Sequence, residues 1–192
     1  MFANRHLGSM FLASSVILTS WCIGGVAKAA DFTLTSSAFK DGAPIPIKYA
    51  GKIESNANCV GENVSPAFSW SNVPAGTKSF ALIMSDPQGR AGTGLFQWVA
   101  YGIPGSLTGL AEGEGSQASD KIVVGKSSVE RAPFYFGPCA SPGPPHHYFF
   151  ILIANDLDPK ALQPGLTRDE LMAALKGRVK GVTALVGLYA KP

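Results

Sequence analysis

The sequence predicts a mostly β domain, and two observations carry that prediction. Across residues 31–192, short apolar runs alternate with turn residues, and no internal repeat, charge block or low-complexity linker divides them. Two of the runs, 80–84 (Phe-Ala-Leu-Ile-Met) and 149–153 (Phe-Phe-Ile-Leu-Ile), are apolar at every position instead of every second one. Strands of that kind are covered on both faces, so these two are expected at the centre of the sheet.

In chain order, strands are expected at 32–34, 47–49, 67–70, 79–85, 96–103, 121–124, 147–154 and 182–189, each a short apolar run bounded by turn residues. A loop over 56–66 carries Cys59, and the Gly- and Ser-rich stretch 105–119 reads as an exposed excursion. One helix is expected after Thr167. Glu170 three residues on completes a capping box, Leu171, Met172 and Leu175 supply an apolar stripe, and Gly177 ends it in the left-handed conformation.

Ahead of the domain, residues 1–29 read as a secretory leader. Arg5 and His6 precede a mostly apolar stretch over 10–26, and Ala27-Lys28-Ala29 supplies the small-x-small pattern, so cleavage is expected after Ala29 or Ala30. Ser14, Ser15, Thr19 and Ser20 interrupt the stretch, which is shorter than the roughly 20 predominantly apolar residues of a membrane-spanning helix. An uncleaved anchor is the alternative. Acylation at Cys22 is a second one, disfavoured by the bulky Trp21 before it. The mature protein is therefore expected in the periplasm or outside the cell, without a stable membrane anchor.

Losing the leader removes Arg5 and Lys28, which leaves 14 Lys+Arg against 13 Asp+Glu where the whole chain has 16 against 13. No Lys/Arg cluster or basic helix remains to track phosphates, so nucleic acid is excluded as a partner. Cys22 leaves as well. Cys59 and Cys139 are then the only thiols in an oxidising compartment, and one disulfide between them is expected, with two separately buried thiols as the alternative.

The familiar catalytic and cofactor motifs fail one by one. There is no G-x-S-x-G elbow. His146 and His147 are adjacent, so on a strand they face opposite ways and cannot share a metal. Two cysteines and one suitably placed histidine are too few for a closed zinc site. Gly125-Lys126-Ser127 resembles the end of a phosphate loop, but position 120 holds Asp120 where that loop needs glycine, and Gly113-Glu114-Gly115 opens no recognisable helix. No cofactor and no metal are expected. The remaining catalytic option pairs Cys139 as nucleophile with His146 as base, and the expected bridge argues against it.

Three segments ask to be explained together. Ser85-Asp86-Pro87 follows the first fully apolar strand, the run from Phe96, Gln97 and Trp98 to Pro104 follows soon after, and Gly137-Pro138-Cys139 leads to His146-His147-Tyr148. With the segment from Asn63, Ser65 and Pro66 to Trp70 and the closing Val186-Gly187-Leu188-Tyr189, the chain resembles the phosphatidylethanolamine-binding protein family, specifically its bacterial, Raf-kinase-inhibitor-like branch. The resemblance implies a single, mainly β domain over 31–192 with a large central antiparallel sheet, a smaller sheet and a few peripheral helices. It also implies a small pocket for phosphate-like or phospholipid head-group ligands and no catalysis. Carried over by position, Asp86, Pro87, Gln97, Trp98, Gly137, Pro138, His146 and Tyr148 are the expected ligand-binding residues. His146 and Tyr148, two apart, share one strand face.

Departures accompany the matches. The family's second acidic position is Gln88 here, its histidine beside the tryptophan is Gln97, and its paired prolines after Cys139 are Ala140 and Ser141. Two ionisable groups have become amides, so the ligand is expected to be bound more weakly or to be a neutral polar group. A protein partner, a kinase or another, is suggested by the branch name alone. The alternative function is a protein-interaction module with a degenerate pocket that binds nothing.

Overall fold

The computed structural model describes Met1 and residues 30–129 and 134–192. The expected leader lies outside the described residues.

The two runs predicted to be central are central. Strand β4 (Ser79–Asp86) pairs antiparallel with β8 (His146–Asn155) on one side and β5 (Leu95–Pro104) on the other. The sheet continues from β8 to β9 (Val179–Tyr189) and β2 (Ala43–Pro44), and from β5 to β7 (Val123–Val124), in the order β2-β9-β8-β4-β5-β7. All its pairings are antiparallel except β2 on β9. A smaller sheet, β1-β3-β6, is built from Thr33–Ser36, Phe68–Ser71 and Gly109–Leu110.

Strand alternation divides the apolar residues between two cores. Phe80, Leu82 and Met84 of β4, with Phe150 and Leu152 of β8, pack against Leu34, Phe68, Trp70 and Leu110 of the small sheet. Ala81 and Ile83, with Val99, Tyr101 and Ile153, point the other way, onto Leu171 and Leu175. Leu171 lies within the helix Arg168–Ala174 and Leu175 caps its end, and the helix starts as predicted. Thr167 Oγ1 accepts from the Glu170 N–H at 3.3 Å while the Glu170 carboxylate accepts from the Thr167 N–H at 2.8 Å. Gly177 follows with φ +74°.

The expected strand at 47–49 is instead a turn of 3-10 helix, Ile47–Tyr49. Pro46 precedes it with φ −58°, and the Tyr49 and Ala50 N–H groups fold back onto the Pro46 and Ile47 carbonyls, which leaves no row of donors for a neighbouring strand. The strand expected at 121–124 shrinks to Val123–Val124. The stretch 105–119 is more than an exposed excursion: it contributes β6 and sends Leu110 and Gly115 inside. Strand β2 caps one end of the outer edge of β9. The Gly42 and Ile45 N–H groups donate to the Val186 and Leu188 carbonyls, and Asp41 accepts from the Val186 N–H.

Candidate functional site

Strand β4 ends at Asp86, and Pro87 cannot donate to a further ladder bond. The chain turns there, with Asp86 Oδ1 accepting from the backbone N–H groups of Gln88 and Gly89, each at 3.0 Å. The turn is closed by left-handed residues, Arg90 at φ +51° and Ala91 at φ +55°, and its arginine reaches the Ser128 carbonyl at 2.8 Å.

The register of β4 on β8 pairs Ser85 with Phe149, which brings the beginning of β8 beside the end of β4. His146 Nδ1 accordingly lies 2.9 and 3.1 Å from the two oxygens of the buried Asp86 carboxylate. A carboxylate only accepts, so Nδ1 carries the hydrogen, and Nε2 remains as the ring's other hydrogen-bonding atom. Two residues on and on the same face, the Tyr148 ring stacks at 6.3 Å from that of His146. Tyr148 is fully buried, and its hydroxyl lies near the Asp86 carboxylate but closes no hydrogen bond of ordinary geometry among the described residues. Burial, and then the Asp86 charge, hold its phenol well above the usual tyrosine range. His147 faces the other way and is exposed. Its N–H donates to Gln88 Oε1 at 2.7 Å, so Gln88 ties the turn to β8 and does not enter the site.

Strand β5 supplies the opposite wall through a bulge. Met84 pairs with Trp98 and Ser85 with Phe96, which leaves Gln97 as the extra residue. The bulge allows the neighbours Gln97 and Trp98 to face the same side. Gln97 Nε2 donates to the Gly137 carbonyl at 2.8 Å, and its Oε1 is buried without a partner among the described residues. Trp98 sits deeper, edge-on to Tyr135 at 5.6 Å, and its indole N–H has no partner among the described residues.

The loop between β7 and β8 is fixed by its backbone. The Gly137 N–H donates to Asn63 Oδ1 at 2.9 Å, the Pro138 carbonyl accepts from the Gly51 N–H at 2.8 Å, and the Tyr135 hydroxyl donates to the Tyr49 carbonyl at 2.7 Å. Gly137 packs so tightly that a β-carbon there would stand 2.0 Å from the Tyr49 oxygen. Beside it Cys139 is bonded to Cys59, 80 residues earlier, with 4.7 Å between their α-carbons.

Asp86, Gln97, Tyr148 and Cys139 line a cavity of about 190 Å³ together with Asn56 and the apolar Ile53, Leu95, Val129 and Phe136. His146 meets this group through Asp86 and does not itself line the space. Pro87, Trp98, Gly137 and Pro138 surround it without lining it, setting the turn, the packing and the loop backbone. The sequence reading missed Val129, for which the chain offered no signal, and Ile53, Asn56, Leu95 and Phe136. Proximity in the chain to Cys59, Gln97 and Gly137 was the only signal that pointed to the last four. Among the described residues no cluster of three or more His, Cys, Asp or Glu side chains is arranged to hold a metal ion.

This order of elements has known counterparts. The sequence profile described as phosphatidylethanolamine-binding protein matches residues 35–190. The chain belongs to the phosphatidylethanolamine-binding protein family. A UPF0098 protein of Methanothermobacter thermautotrophicus is 37% identical over 162 residues, covering 82% of this chain and 98% of the relative. The crystal structure of Escherichia coli YbcL, described as a new member of the mammalian PEBP family, superposes with a TM-score of 0.74 at 27% identity, covering 84% of this chain and 99% of YbcL. The CT736 protein of Chlamydia trachomatis gives a TM-score of 0.69 at 31% identity over 84% of this chain and 98% of its own. The family match takes in the whole described site, from the Cys59 loop to the end of β9. Within this phosphatidylethanolamine-binding protein family member, no helix of the described residues is long and apolar enough to cross a membrane.

Proposed function

We propose that this family member is an exported, non-catalytic binding protein whose Asp86–His146–Tyr148 cavity takes a small anionic or polar group such as phosphate or a phospholipid head group. The observation that carries the reading is the unpartnered, buried Tyr148 hydroxyl beside a histidine already oriented by Asp86. A buried hydroxyl without a partner costs stability, and an oxygen-bearing ligand removes that cost. Asp86 lines the cavity with its carboxylate engaged by His146 and by two backbone N–H groups, so Tyr148 is the lining donor that the ligand meets. Bonding of Cys139 to Cys59 removes the thiol that a Cys-His hydrolase would need.

Export rests on the leader pattern of 1–29 and on a bridge of the kind that persists in oxidising compartments. Intact-mass measurement of the native protein is expected to give a chain beginning at Ala30 or Asp31, and an unprocessed Met1 would overturn this part.

Isothermal titration with inorganic phosphate and with phosphoethanolamine tests the pocket. Saturable binding is expected, weakened about ten-fold by Tyr148→Phe and also by His146→Ala, which acts through Asp86. Binding indifferent to both changes would overturn the assignment. The second reading, an interaction module with a degenerate pocket, is favoured by one observation: one of the two N–H donors of the Gln97 side chain is already spent on the Gly137 carbonyl. A cavity left empty at millimolar ligand would select it.

A further inference from the structure

The cavity wall is inverted at Gln97. Its amide orientation is fixed by chemistry, because the Gly137 carbonyl 2.8 Å away accepts and repels another carbonyl, so the NH2 group gives one hydrogen to Gly137 and Oε1 is left without a donor. That oxygen is buried, has no partner among the described residues, and carries only lone pairs. Gln97 itself is 2% exposed and lines the cavity, so the occupant is the group placed to satisfy it. Asp86, on the same lining, also only accepts. Tyr148, with the second unpartnered oxygen, has a hydrogen to give.

One wall therefore asks its occupant for a hydrogen and the other offers one. A fully ionised or fully esterified oxyanion meets Gln97 lone pair against lone pair. An oxyanion that keeps a hydroxyl does not.

We infer, on the basis of the anion-binding reading above, that this cavity selects oxyanions that retain a P–OH group, a phosphate monoester or inorganic phosphate in its monoanionic form, over sulfates and over the phosphodiesters of lipid head groups. Gln97 sets the choice by accepting from that hydroxyl, while Tyr148 donates to an unprotonated oxygen. A buried site built to pair with a hydrogen rejects the analogue that lacks it far more strongly than it rejects a change of size.

Methyl phosphate, methyl sulfate and dimethyl phosphate isolate the effect. At a pH of about 5, below the second ionisation of a phosphate monoester at about 6, all three carry one negative charge and only the first has a hydroxyl. Titration calorimetry on the disulfide-bonded protein is expected to show methyl phosphate bound at least about ten-fold more tightly than either of the others. In Gln97→His, which replaces the acceptor by a ring able to donate, the gap between phosphate and sulfate is expected to close. Equal binding of the three probes by the unmodified protein would overturn the selectivity while leaving anion binding standing. Failure of all three to bind would overturn the anion-binding reading itself, and the selectivity with it. The ligand comparison needs no substitution, so it decides even where Gln97→His does not fold.

Discussion

Asp86 does two things with one carboxylate: it closes the turn after β4 through two backbone N–H groups and it holds His146. Asp86→Ala strands the buried Gly89 N–H and the imidazole, and is expected to cost about 3 kcal/mol in denaturant unfolding. Tyr148→Phe should act in the opposite sense on the empty protein. It removes a buried hydroxyl that has no partner, so stability is expected to hold or rise by about 1 kcal/mol while ligand affinity falls, a separation that equilibrium unfolding and calorimetry on the same variant will read. Gly137→Ala places a β-carbon against the Tyr49 carbonyl, which is backbone and cannot swing aside, so a loss of about 3 kcal/mol or more is expected. Of these residues, Asp86, His146 and Tyr148 were legible in the sequence because strand alternation and turn chemistry are local rules. Gln97 was expected in the site too, but the way it contributes was not legible. Its glutamine was visible as a departure, but the bulge that turns it inward and the carbonyl that fixes its amide come from segments 40 residues apart.

At the scale of elements, the bridge and the capping box lend themselves to measurement. The Cys59–Cys139 bond closes 80 residues between the loop after the 3-10 turn and the loop before β8. Loop-closure entropy for a span of that length is worth roughly 4 kcal/mol, so the double variant Cys59→Ser, Cys139→Ser is expected to unfold at markedly lower denaturant. Because Cys139 lines the cavity, the same variant should bind ligand more weakly. Thr167→Ala removes one half of the reciprocal cap and should cost about 1 kcal/mol, detectable as a shift in thermal midpoint. The capping box was legible because both partners lie within four residues. The 3-10 turn at Ile47–Tyr49 was misread for the complementary reason. Ile47 and Tyr49 carry strand preference, but Pro46 sets the entry and the bonds run back along the chain. Strands β2 and β6, two residues each, exist only because β9 and β3 are there to receive them, and no local pattern announces them.

Over the whole molecule, the two apolar runs foretold a sheet covered on both faces, and the two cores meet that expectation through alternate residues of the same strands. Burial on this scale also touches every tyrosine. All five, Tyr49, Tyr101, Tyr135, Tyr148 and Tyr189, have phenols raised above the ordinary value, chiefly by desolvation, with Tyr49 pushed up to about 12. A raised phenol favours the fold fully below the unfolded value of about 10, and that contribution drains away as the pH climbs toward the folded value. In an ultraviolet titration the phenolate signal is therefore expected to lag behind free tyrosine and then to rise together with loss of the fold. Independent ionisation near pH 10 in the still-folded protein would contradict the burial.

The short parallel strand β2 also matters while the protein is being made. Its bonds to the outer edge of β9, among the described residues, lie between Val186 and Leu188, and Val182 further along stays 56% exposed. A chain whose segment 41–45 has not yet docked offers its last strand as a template to any neighbour. Refolding yield should consequently fall as protein concentration rises, and Val182→Lys, a charge set on that strand, should restore it.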